Sequence, residues 1–233
     1  MRNITTTTKK TKSNSLSIII PAAGVGKRMR SNGPKSFISI NGKYLIDRQL
    51  ELLKQVYPHA EIIVVGGYEA KRLMDYLPTH ILKVENEKFE ETNVVRSIGM
   101  GLRVARSENV LVIYGDLVFN KVALPINLTE STLVLDKINN LMREDEVGCT
   151  SSNKVEILMY ELAQKWAQIM FLTGKELKMF KNLSWSPDKY NLFGFEIINE
   201  IILKKGEFKV YCPNNIKVID VDFPTDIKIA ENI

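Results

Sequence analysis

The sequence predicts an α/β fold, a mostly parallel sheet flanked by helices, and three observations carry that prediction. Short β-branched or apolar runs at 16–20, 61–65, 81–84 and 109–114 read as buried strands. Between them lie segments with apolar residues at helical spacing, as right-handed crossovers between parallel strands require. Three of the strands run out into glycine, at Gly24 and Gly26, at Gly66-Gly67 and at Gly115. In open α/β sheets the carboxyl edge is where ligands collect.

The first strand and the loop after it, SLSIIIPAAGVGKRMRSNGPK, organise the rest of the chain. Pro21-Ala22-Ala23-Gly24-Val25-Gly26 is small and permissive, so its backbone N–H groups can approach a ligand closely. Lys27, Arg28 and Arg30 follow, with Lys35 just beyond Pro34. Backbone donors plus a cation cluster are what a polyphosphate needs. Two well-known phosphate loops are excluded by spacing. Pro21 and Arg28 stand where a Walker A loop needs glycine and a hydroxyl, and Met29 stands where a dinucleotide fingerprint needs its third glycine.

The remaining elements read in order. Residues 37–40 and 43–44 form a hairpin turning at Asn41-Gly42, and a helix follows to Pro58. A helix over 69–76 follows the second strand. The next helix begins near Thr92-Asn93, a plausible cap, and places Asn93 and Ser97 on one face. The fourth strand ends in Gly115-Asp116. From Ser131 the pattern changes: 132–135, 147–150 and 155–158 are strand-like around a polar segment, 137–146. An apolar stretch at 166–173, helices over 174–181 and 191–203, strands at 208–212 and 216–221, and a final helix capped by Asp226 complete the chain. The fold class is thus Rossmann-like, with an antiparallel excursion over the nucleotide edge.

Length and composition bound the function. The 233 residues fit a flexible tail, 1–14, and one domain, 15–233. A net charge of +5 is mild and spread along the chain, with no aromatic-and-basic stripe, so small anions are expected as partners and nucleic acid is not. The two cysteines, Cys149 and Cys212, match no zinc spacing. His59 and His80 are the only histidines, which argues against His-based metal sites and Ser-His-Asp chemistry. No apolar run reaches membrane-spanning length, and the Thr/Lys-rich start lacks the apolar core of a signal peptide. A cytoplasmic protein is expected, with no membrane partner. The oligomeric state is left open, a homodimer included.

The motifs PAAGVGKRM, VVGGY, ENEKFEETNVVRSI, YGD and IDVDFPTDIKIAE occur in this order from Ser15 nearly to the end. Together they resemble the small-molecule (sugar-phosphate-type) nucleotidyltransferases, and most closely the cholinephosphate cytidylyltransferases and related CTP-dependent enzymes. The resemblance implies that residues 22–27 hold the triphosphate, with Arg28 and Lys35 at phosphate-contacting positions. It matches Asn93 and Ser97 to polar positions that contact base or ribose, with helix capping and solvent as the alternative. Gly67, Tyr68 and Gly115 are expected around the nucleotide from their place at the carboxyl edge of the sheet, with packing beside the sheet the alternative for Tyr68. The resemblance also implies a Mg²⁺ held by Asp116 and by Asp222; Asp220 is the lesser candidate, since Val221 stands where the family has glutamate. Lys35, Arg28 and Asp116 are the expected catalytic residues.

Such chemistry needs no general base. A phosphate monoester with a second pKa of about 6 is largely a dianion at neutral pH, so positioning and charge stabilisation suffice. The expected reaction moves CMP from CTP to a small phosphorylated alcohol or amine such as phosphocholine and releases pyrophosphate. The alternatives are a sugar 1-phosphate with UTP or another triphosphate, and a non-catalytic nucleotide-binding regulator. Asp136, at the end of the 132–135 strand, reads as a solvated turn residue, with a group facing the acceptor as the alternative. Trp166 and Trp185 read as packing residues, though a cation–π box for an ammonium group is the alternative.

Overall fold

Alternation along the first strand sets the layers. Ile18, Ile19 and Ile20 of β1 (Ser17–Ala22) are all fully buried, and successive side chains of a strand point to opposite faces. Each such burial contributes roughly 1.5–3 kcal/mol. The computed structural model describes residues 15–29, 33–137 and 146–233. The expectations for the tail 1–14, for Arg30, for most of the polar segment 137–146 and for the Lys27 side chain lie outside those residues.

After β1 come two short 3-10 turns, Lys27–Met29 and Lys35–Phe37, and a hairpin of β2 (Ser39–Ile40) and β3 (Lys43–Tyr44). Then follow α1 (Leu45–Val56), β4 (Glu61–Gly66), α2 (Ala70–Tyr76), β5 (Leu82–Glu85), α3 (Val94–Val104) and β6 (Asn109–Ile113). β4 and β6 flank β1 on either side and β5 extends past β4, all parallel. Ile19 packs with Ile63 and Val65 against Ile98 and Leu102 of α3. Ile18 and Ile20 pack on the opposite face with Ile46 and Leu53 of α1 and Leu73 of α2. The helices therefore cover both faces of the sheet.

The second half continues the same sheet. It holds β7 (Leu117–Phe119), β8 (Thr132–Asp136), β9 (Val147–Ser151), β10 (Val155–Tyr160) and β11 (Gln164–Thr173). α4 (Gly174–Leu183), α5 (Gly194–Leu203), β12 (Lys209–Tyr211), β13 (Val218–Asp220) and α6 (Pro224–Ala230) complete it. β11 pairs antiparallel with β6, giving the order β10-β9-β11-β6-β1-β4-β5, while β8 joins β11 to β12. The antiparallel excursion is thus an extension of the sheet beside the parallel strands. The apolar stretch at 166–173 is strand, paired antiparallel with β6 and with β8. β13 leaves the main sheet and pairs with β7 instead. That small ladder brings the end of the chain back to the carboxyl edge. Among the described residues no helix is long and apolar enough to cross a membrane.

Candidate active site

The glycine loop is folded by its own sequence. Gly26 takes φ +65°, a left-handed conformation that glycine adopts without penalty, and its carbonyl accepts the Met29 N–H at 2.9 Å. Met29 is buried with Ile38, Ile40, Leu45 and Val221. Anchoring Met29 inward turns its neighbour Arg28 outward, with 55% of that side chain exposed. Lys35 opens the next 3-10 turn directly after Pro34, and its side chain is only 17% exposed.

Asp116 is fixed through the backbone around it. Gly115 N–H donates to the Pro21 carbonyl (3.1 Å), and the Asp116 carbonyl accepts the Val221 N–H (2.9 Å). Gln49, fully buried on α1, donates its amide to the carbonyls of Tyr114 (2.9 Å) and Leu117 (2.8 Å). One side chain therefore clasps both ends of the Gly115-Asp116 turn. Asp222 follows β13, and its N–H, with that of Phe223, donates to Asp226 Oδ2 (2.9 and 2.7 Å). Asp226 does cap the last helix, from its first turn, and in doing so it holds the backbone of Asp222.

These fastenings bring four charges together. Lys35 Nζ donates to Asp116 Oδ2 (3.1 Å) and to Asp222 Oδ1. Arg28 Nη1 lies 3.4 Å from Asp222 Oδ2, and its guanidinium sits 5.5 Å above the Phe223 ring. Burial by itself pulls the Lys35 ammonium down, but the two carboxylates outweigh it and raise its pKa well above 10.5. Asp116 is raised, first by burial and then by the charges of Asp222 and Asp220, against the lowering pull of Lys35. Asp116 Oδ1 is buried and has no hydrogen-bond partner. An orphaned carboxylate oxygen beside a second carboxylate fits a Mg²⁺ ion, which takes one or two protein carboxylates and completes its shell with phosphate oxygens and water. No group of three or more His, Cys, Asp or Glu positioned for a metal exists among the described residues.

In front of this cluster lies a hollow of about 250 Å³ lined by the loop residues Ala22, Gly24 and Gly26 together with Lys35, Ser36 and Gly115. It shares Arg28, Asp116 and Asp222 with a second cleft of about 370 Å³. That second cleft contains Ala23, Asn93 and Ser97 on one side and Tyr114, Trp166, Gln168 and Asp220 on the other. Tyr160 and Phe193, exposed members of its lining, form an aromatic rim with Phe195, with the Phe193 and Phe195 rings stacked at 6.0 Å and Tyr160 edge-on to Phe195 at 5.3 Å.

The sequence-predicted residues do not all face the cleft. Gly67 and Tyr68 stand one layer behind it. A Cβ on Gly67 would lie 2.8 Å from the Ala23 Cβ and 2.6 Å from the Phe89 Cβ, and the Tyr68 N–H donates to the Ala23 carbonyl at 3.1 Å. Both therefore support the loop from behind. Val25 is not part of either lining. Asn93 lines the cleft while its Oδ1 accepts the Val94 N–H (2.7 Å) at the start of α3; Ser97 Oγ accepts from Asn86 Nδ2 (3.1 Å).

Others move further. Trp185 is packed away from the cleft, between the guanidinium groups of Arg96 and Arg103, each 4.0 Å from its ring. Only Trp166 of the two tryptophans meets the cleft, so the two cannot box one ligand. Asp136 is buried rather than solvated; burial raises its pKa, and Lys165 opposes that. Asp220 is buried against Lys165 Nζ (3.5 Å) and receives Gln168 Nε2 (3.4 Å). The sequence reading missed Gln49, Gln168 and the aromatic rim. Gln49 alone left a trace, as a polar residue inside the apolar stripe Ile46-Leu50-Leu53 of α1.

Residues 18–133 match the profile of the MobA-like NTP transferase domain family. The bifunctional protein GlmU of Coxiella burnetii is 31% identical over 105 residues, which are 44% of this chain and 22% of that protein. The chain thus spans about a fifth of the length of that curated relative. The CTP:phosphocholine cytidylyltransferase LicC of Streptococcus pneumoniae superposes with a TM-score of 0.77 at 24% identity, covering 93% of this chain and 98% of that one. A putative glucose-1-phosphate thymidylyltransferase from Bacillus anthracis gives a TM-score of 0.77 at 16% identity, over 93% and 94% of the two chains. The fold is that of the Rossmann-like nucleotidyltransferases, and within it residues 18–133 match the MobA-like NTP transferase domain.

Proposed function

We propose that the protein transfers a nucleoside monophosphate, CMP from CTP, to a small phosphorylated alcohol or amine, and releases pyrophosphate. The observation that carries this reading is Lys35 Nζ set between Asp116 and Asp222 directly in front of the glycine loop. The loop's N–H groups and Arg28 would receive the triphosphate. Asp116 and Asp222 would hold Mg²⁺, which when bound supplies positive charge to the phosphate oxygens. The acceptor's phosphate dianion, lying in the second cleft, attacks the α-phosphorus in line. The new bond joins acceptor oxygen to α-phosphorus, and the bond from α-phosphorus to the β-bridging oxygen breaks. Lys35 and Arg28 offset the charge that grows during this exchange. No proton need be removed from the nucleophile, in keeping with a cleft whose lining contains no histidine.

Support for CTP and for a small alcohol or amine comes from two sides. LicC, whose name gives CTP and phosphocholine, shares the fold over nearly the whole of both chains. The rim of Tyr160, Phe193 and Phe195 offers ring faces that suit an ammonium group. A sugar 1-phosphate with UTP or another triphosphate is the second reading. The Bacillus anthracis neighbour favours it, as do the polar cleft groups Asn93, Gln168 and Asp220. Pyrophosphate release with Mg²⁺ tests both. Each of the four ribonucleoside triphosphates would be offered against phosphocholine, phosphoethanolamine, glycerol phosphate and sugar 1-phosphates. Release with CTP and an alcohol or amine phosphate is expected. Release only with a sugar phosphate and another triphosphate would replace the first reading by the second. Nucleotide binding with no release from any pair would favour a non-catalytic regulator.

A further inference from the structure

Gln168 breaks the regularity of the strand it occupies. β11 is buried from Lys165 to Leu172 except at this one residue, which takes φ +55°. A non-glycine residue there is sterically strained. The pairing of β11 with β8 jumps from Trp166 to Met170 across it. Its carbonyl accepts the Tyr114 N–H at 3.4 Å, and the Trp166 indole N–H closes the bulge on the Ile169 carbonyl, also at 3.4 Å. Bulges beside active sites re-aim side chains, and strain that persists points to a use. Here the bulge delivers the Gln168 side chain into the second cleft, beside Asp220 and Trp166.

The carboxamide's orientation is set by one contact. Its Nε2 donates to Asp220 Oδ2 at 3.4 Å, and Asp220 is itself pinned by Lys165, whose Nζ also donates to the buried Glu146 at 2.5 Å. With the nitrogen turned to Asp220, the amide oxygen, the other in-plane arm of the carboxamide, is left to face another group. That oxygen accepts hydrogen bonds and donates none. We infer that Gln168 is a specificity residue for the acceptor, reading an O–H or N–H on its non-phosphate end. This rests on the nucleotidyl-transfer reading and narrows it: primary amines and hydroxylated acceptors are preferred over fully methylated ammonium groups, which have no donor.

The test is the variant Gln168→Gly, which removes the amide and relieves the backbone strain. Full-length wild type and variant would be compared by pyrophosphate release with CTP against phosphoethanolamine, glycerol phosphate and phosphocholine, together with thermal melting. A single neutral hydrogen bond of about 1 kcal/mol is worth a fold-change of roughly 5–10. The acceptor KM is expected to rise about that much for the best donor-bearing acceptor, with the KM for CTP within twofold and the Tm equal or higher. The KM for phosphocholine should change less, so the preference between acceptors shrinks. Gln168→Glu, which keeps an acceptor oxygen but sets a carboxylate beside Asp220, should lower the Tm. An unchanged acceptor KM in Gln168→Gly, or an equal rise in both KM values, would overturn the inference while leaving nucleotidyl transfer intact. No release by wild type with any pair would remove the transfer reading, and this inference with it.

Discussion

Replacing Lys35 by alanine leaves Asp116 and Asp222 facing each other without their shared counter-charge. At about 3 Å and an effective dielectric of about 20, each contact has a gross Coulomb energy of about 5 kcal/mol, most of it offset by the desolvation of the ammonium. Breaking a fully buried pair by removing one partner costs about 3–5 kcal/mol. Here the three side chains keep 17%, 27% and 20% exposure, and water screens what remains. The expected loss is about 2 kcal/mol, discounted for that screening. For a chain of this size it lowers the Tm by about 4–8 °C. Turnover should fall much further, by about 10²–10³, the usual cost of removing one preorganised charge from a transition state.

The pH dependence of that loss has a definite sign. Because the folded-state pKa of Lys35 is raised above 10.5, its contribution is complete below the unfolded value and is lost only as pH rises through the higher folded one. The Tm difference between wild type and variant should therefore be flat from pH 8 to 10. Mg²⁺ offers a further check. With the ammonium gone, a divalent cation can neutralise the same carboxylates, so Mg²⁺ without nucleotide should raise the Tm of Lys35→Ala more than that of wild type. Scanning fluorimetry over a Mg²⁺ series and steady-state pyrophosphate release measure both effects. Equal Mg²⁺ shifts, or turnover within tenfold of wild type, would show that Lys35 neither neutralises these carboxylates nor serves the reaction.

Two other perturbations test the supports of the site, and one labelling experiment tests the packing of β9. Gln49→Leu strips two buried carbonyls of their donor; a loss of about 2–4 kcal/mol in denaturant unfolding is expected, with residual activity low even where the protein is folded. Asp226→Ala removes the acceptor for the Asp222 and Phe223 N–H groups and should cost about 1 kcal/mol, with a weaker response to Mg²⁺ in the same melting assay. The Cys149 thiol is pushed up to about 11, first by burial, so at pH 8 only about one part in a thousand is thiolate. Timed alkylation of the folded protein at pH 8, read by mass spectrometry, should leave Cys149 unmodified and become measurable only toward pH 11. Rapid labelling at pH 8 would contradict its burial.

The features legible in the sequence were local. The runs at 16–20, 61–65 and 109–114 announce their strands because they are dominated by apolar residues and hemmed by turns. The glycine loop is legible for a similar reason, its cations following within a few residues. The meeting of Lys35 with Asp222 spans 187 positions, and no periodicity foretells it; only the ordered motifs pointed there. Gln168 was invisible because a glutamine inside an apolar strand carries no sign of a left-handed backbone. The aromatic rim was invisible too, since Tyr160 closes β10 while Phe193 and Phe195 flank the start of α5. Trp166 and Trp185 look alike in the sequence and separate in space, because Arg96 and Arg103 on α3 capture the second.

Nucleotidyl transfer by the Lys35–Asp116–Asp222 cluster is decided by the fate of the α-phosphorus. Single turnovers of labelled CTP with wild type and Asp116→Ala side by side, each checked by circular dichroism, follow it. Label should reach the acceptor with wild type, and about 10²–10³-fold more slowly with a variant that is still folded. A folded Asp116→Ala protein that transfers label at a rate near that of wild type would remove Asp116 from the reaction.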